Sequence, residues 1–116
     1  MAQPQQPTFK PKPPKQGTGQ GFNRLGDWLP KMSKYLRAVR LLETVLADIP
    51  LANMTDNQRN RNNLAMICLT ENLSSMYDDM VSHHQRAFDI WRTLNQVCIL
   101  RIILALEWII NLLLVP

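Results

Sequence analysis

The chain has no glycine after Gly26 and no proline between Pro50 and Pro116. Glycine and proline mark tight turns and strand edges, so the long stretch between lacks the punctuation of a sheet. Glycine-rich phosphate loops and nucleophile elbows are excluded with it. Acid is scarce at the front, where Asp27 is the only acidic residue in the first forty. Cysteine is limited to Cys68 and Cys98, thirty residues apart and outside metal and redox spacings, so buried reduced thiols are expected. Residues 1–21 hold no apolar stretch, so no secretory leader is expected and a reducing compartment is. Three Phe, two Tyr and three Trp in 116 residues allow only a small core. A bundle of this size leans on a bilayer or an oligomer for part of its stability.

What is present divides into three. Residues 1–26 carry prolines at 4, 7, 11, 13 and 14 and all four glycines. They read as a disordered, basic arm with polyproline-II tendency. The bare PxxP spacing at Pro4–Pro7 and Pro11–Pro14 lacks the orienting basic residue of an SH3 ligand. Residues 1–40 hold eight cations against one acid, a charge of +7, whereas residues 41–116 carry −3. A front half of that sign calls for an anionic partner, either lipid headgroups or nucleic acid. Only Phe9 accompanies the arm's lysines, which gives little for bases to stack on.

Residues 27–96 read as helical, with helices over about 28–48 and 56–96. In the first, Asp27 is the expected cap and Pro30 is tolerated in the opening turn. Trp28, Leu29, Met32, Tyr35, Leu36, Val39, Leu42, Leu46 and Ile49 fill one half of its wheel. Lys31, Lys34, Arg37 and Arg40 take the other half or its border, a candidate membrane-surface set. Leu41 and Val45 fall on the polar side and break that pattern. Thr55 and Gln58 fit a capping box for the second helix. Nearly sixty unpunctuated residues follow, too many for one helix of a small domain, so a break is expected near Ser82–His84, with Ser74–Ser75 as the alternative.

Residues 97–116 are the most informative. VCILRIILALEWIINLLLV runs from Val97 to Val115 with only Arg101, Glu107 and Asn111 strongly polar. Its length suits a membrane-spanning helix. Its Leu, Ile and Val residues favour insertion by roughly 4–8 kcal/mol, and Arg101 and Glu107 oppose it by roughly 4–6 kcal/mol. Glu107 and Asn111 share a face, so Arg101, Glu107 and Asn111 are the candidate helix–helix contacts. Cations precede the segment and none follows Arg101, the asymmetry of a tail-anchored protein with its N-terminal region in the cytosol.

Chemistry-bearing clusters are thin. His83 and His84 are adjacent and diverge by about 100° on a helix, and no further ligand completes a metal site. Asp78–Asp79 lack the alternating, glycine-containing pattern of a calcium loop. No catalytic residues, metal, cofactor or small-molecule substrate are expected.

The resulting expectation is an all-α protein of two to four helices with a disordered arm and a highly apolar C-terminal helix. It is read as a non-enzymatic, membrane-associated protein acting through helix–helix contacts, as an accessory subunit or a membrane-perturbing oligomer. The alternative is a soluble, cytoplasmic helical module whose last helix is buried in an oligomer or partner.

Overall fold

The computed structural model of the chain describes residues 11–17 and 24–114. Expectations that fall on residues 1–10, 18–23 and 115–116 lie outside the described residues. The fold is helical, with α1 Leu25–Ala38, α2 Leu42–Leu46, a 3-10 turn Leu51–Asn53, α3 Asp56–Glu71, α4 Ser75–Val81 and α5 Ala87–Leu114. The five α-helices among the described residues exceed the expected two to four, because the two long helices break more often than their patterns signalled.

The first break comes at Val39–Leu41, inside the expected 28–48 helix. The Leu41 amide donates to the Leu36 carbonyl and the Arg40 amide to the Arg37 carbonyl, at 2.8 and 3.2 Å. This is the Schellman arrangement that closes many helices, and its pivot residue takes a left-handed backbone. Here the pivot is Arg40 at φ 63° where glycine is usual. The turn explains the misfit on the wheel. Once the helix stops, α2 starts at a new angle and carries Val45 into the core. At the other end α1 starts at Leu25, with Arg24 as its cap residue and Asp27 in its first turn.

α3 opens as its sequence dictates. The Gln58 amide donates to the Thr55 hydroxyl at 3.2 Å, and the Gln58 side chain accepts from the Thr55 amide at 2.8 Å. The chain then breaks at both candidate positions, Asn72–Ser74 and Ser82–Arg86, which leaves α4 as a short helix between them. Tyr77 and Val81 point from α4 into the core.

The first half of α5 is the central post, and α1, α2, α3 and α4 all pack on it. Leu25, Trp28, Met32, Leu36, Val45, Leu69, Val81, Ile90, Trp91 and Leu94 form most of the buried cluster. Gly26 lies beside Cys98, where an added Cβ would sit 3.5 Å from the sulfur. Asp48 and Ile49 lie beside Arg86 just before α5, at 2.6 and 3.2 Å. From residue 26 to 49 the chain therefore climbs α5 against its direction.

Part of the arm is laid on this bundle. The Trp28 indole donates to the Pro14 carbonyl at 2.7 Å. The Gln16 amide donates to the Asn72 carbonyl at 2.8 Å, and the Gln16 side chain accepts from the Ser74 amide at 3.1 Å. Gly17, at φ 82°, approaches Ser74 so closely that a Cβ would meet it at 3.2 Å.

Candidate functional site

α5 has two halves of opposite environment. Ala87, Ile90, Trp91 and Leu94 are buried and Val97 and Cys98 partly so, whereas every residue from Ile99 to Leu114 is exposed. The exposed half spans sixteen residues, about 24 Å at 1.5 Å per residue. Trp108 is 66% exposed and Leu113 79%, values foreign to side chains of this size on a self-sufficient soluble surface. The whole of α5 is long and apolar enough to cross a membrane, and its most apolar stretch has nothing from the bundle packed over it.

The structure separates the three polar residues of this segment. Arg101 stays with the bundle, its guanidinium 5.4 Å from the centre of the Tyr77 ring on α4. Glu107 and Asn111 lie one turn apart farther out, both exposed and without a partner among the described residues. The Arg101 charge thus sits where α5 leaves the bundle, and Glu107 is the one charge on the free portion.

The basic residues of α1 are all exposed but do not form one surface. Lys31 and Lys34 border a shallow hollow of about 280 Å³ together with Pro11, Lys12 and Pro14 of the docked arm. Lys12 therefore joins them. Arg37 and Arg40 instead border a separate open groove of about 700 Å³, opposite Arg61 of α3. Along α1, Lys31 stands about 8 Å from the level of Gly26 and Cys98, Lys34 about 12 Å and Arg37 about 17 Å.

Two internal sites escape sequence reasoning. Asn62, 2% exposed, accepts the Ala87 amide on its side-chain oxygen at 2.7 Å and donates to the Gln85 carbonyl at 3.1 Å. It caps α5 from a different helix. Its place three residues before Ala65 and seven before Leu69 was the available signal, since those two are the buried positions of α3. Arg86 holds Asp48 at 2.6 Å, grips Asp89 through two bonds of 2.8 and 2.9 Å, and stacks 5.2 Å from the Phe88 ring centre. The two carboxylates raise the Arg86 pKa, and the bonds from Arg86 lower that of Asp89.

The remaining reactive groups are quiet. Burial, helped by Glu71, pushes the Cys68 thiol up to about 11, so it stays protonated at neutral pH and is a poor nucleophile. Both cysteines are free thiols and partly buried. His84 is bonded to the Thr93 hydroxyl at 3.0 Å, and burial followed by neighbouring His83 lowers its pKa. No cluster of three or more His, Cys, Asp or Glu side chains suited to a metal ion occurs among the described residues. Thr55 serves the fold in the capping box, and Asn72 is buried at the end of α3. Comparison with protein-family models, with curated proteins and with solved structures gives no match.

Proposed function

We propose that the protein is a non-enzymatic, membrane-associated helical protein in which the bundle is an extramembrane head and the outer half of α5 enters the bilayer. The observation that carries this reading is the unbroken exposure of apolar side chains from Ile99 to Leu114. Burying one such side chain is worth roughly 1.5–3 kcal/mol, a gain the outer half of α5 leaves unrealised in water. Arg101 at the bundle's edge supports the same reading. A cation held against Tyr77 at the exit point lies at interface level, where it costs far less than at the bilayer centre. Arg24, two residues before Gly26, and Lys31, Lys34 and Lys12 farther along are exposed cations on that side, within about one Debye length of an anionic leaflet, and act as the headgroup surface. Glu107 and Asn111 then face a second apolar helix, of another copy or a partner, because a lone carboxylate in hydrocarbon needs a partner.

Alkaline carbonate extraction of membranes tests the reading, comparing the full chain with one ending at Cys98. That truncation keeps every buried or partly buried residue of α5 and removes, of its contacts with the bundle, the one between Arg101 and Tyr77. Retention of the full chain and release of the truncated one is expected. Release of both removes the bilayer and leaves the soluble module, with the outer half of α5 packed on protein.

A further inference from the structure

The groove bordered by Arg37, Arg40 and Arg61 has no part in the membrane reading. Arg37 lies nearly two Debye lengths from the level at which α5 leaves the bundle, too far to feel headgroups strongly. The three guanidiniums come from separate segments, the last turn of α1, the turn after it and the middle of α3. None forms an ion pair among the described residues, and Glu43 on the same rim is paired with none of them. Arg61 is fixed by a hydrogen bond from its guanidinium to the Arg40 carbonyl, which leaves its other donors free. One carboxylate against three guanidiniums leaves a rim of net charge +2 over a floor that includes Leu42, Ile49 and Met54.

We propose that this groove docks an acidic, amphipathic peptide segment of a partner protein, its carboxylates on the arginines and its apolar side chains on the floor. Charge complementarity selects the occupant. Guanidinium is the side chain best shaped to take a carboxylate by two parallel bonds. A bare phosphate would satisfy the rim and leave the apolar floor wet. A neutral apolar segment would cover the floor and leave the arginines unpaired. Residues 1–23 contain no acid, so the chain's own arm does not match the rim in charge. The groove is open to solvent, which suits a segment laid along it better than an enclosed small molecule.

The test is fluorescence anisotropy with a short labelled peptide of alternating glutamate and leucine. The full chain is held in zwitterionic detergent micelles, so that no anionic lipid competes. The wild-type protein is expected to bind, and to bind less tightly as salt is added. The double variant Arg37→Gln, Arg40→Gln should bind at least about tenfold more weakly, a loss of about 1.4 kcal/mol. Both side chains are exposed and Arg61 keeps its bond to a backbone carbonyl, so an unchanged melting curve accompanies that loss. Glu43→Gln removes the one acid on the rim and should tighten binding. The proposal is overturned if wild type does not bind the peptide, if the double variant binds it as well, or if a glutamine–leucine peptide binds equally. Displacement of the peptide by inorganic phosphate or glycerophosphate overturns it too, and reassigns the groove to a phosphate group.

Discussion

Asn62 shows how much one buried side chain can fix. The first amides of any helix lack internal partners, and α5 obtains one from an asparagine on α3, which in the same stroke holds the link before α5 through the Gln85 carbonyl. Asn62→Ala should therefore cost about 2–3 kcal/mol in urea unfolding, since it orphans a buried amide and opens space. Arg40 runs the other way. At φ 63° a residue with a Cβ is strained, so Arg40→Gly should raise the unfolding free energy by about 0.5–1 kcal/mol while weakening the acidic peptide. A gain in stability with a loss of binding cannot come from general damage. His84 sets a pH response. Burial favours its neutral form in the folded state, so the unfolded chain binds the extra proton as pH falls through the ordinary value of about 6.5. The melting temperature should drop from about pH 7 to about pH 5, and His84→Gln should flatten that slope. Asp89 acts lower on the scale. Its pKa is held down by Arg86, so its contribution is intact above about pH 4 and vanishes only as pH falls through the lower folded value.

At the scale of elements, the sequence announced helices more faithfully than their ends. The capping box at Thr55 was legible because it is local, two side chains and two amides within four residues. The end of α1 was not, because the residue at the Schellman pivot is an arginine and the usual glycine signal is missing. Leu41 and Val45 on the wrong side of the wheel were the only trace of that turn. The two later breaks use serine and asparagine instead of glycine and proline, so either position fitted the pattern and the chain uses both. Of the site residues, the apolar stretch of α5 was plain in the sequence. The division of Lys31, Lys34, Arg37 and Arg40 between two hollows was not, since it depends on where the arm and α3 pack. α5 also carries a convenient reporter. Trp28 and Trp91 are buried in the bundle and Trp108 is exposed on the outer half, so a bilayer changes the surroundings of Trp108 alone. Adding phosphatidylcholine vesicles should shift the emission to the blue, brominated lipid should quench the shifted part, and Trp108→Phe should abolish both. An emission that ignores lipid would place the outer half of α5 against protein.

At the scale of the whole molecule, one helix belongs to two solvents. Its first half is the post around which the other helices fold, and its second half is held out, helical and apolar, with the change of environment at Cys98–Arg101. Apart from the Arg101–Tyr77 contact, the bundle's contacts with α5 lie before that boundary, in the Leu25-to-Cys98 cluster and the Arg86 and Asn62 bonds. Removing everything after Cys98 should therefore leave a cooperative fold whose circular dichroism loses only the helix that was cut away. The loss of the Arg101–Tyr77 contact should cost no more than about 1 kcal/mol, as for a cation–π pair at an exposed site. If the truncated chain instead melts without cooperativity, the outer half of α5 is part of the folding unit and must be covered by a partner or a bilayer before the bundle closes. If it melts cooperatively and stays in solution where the full chain sediments with vesicles, the head and the membrane-seeking segment are separable, and each can be probed without the other.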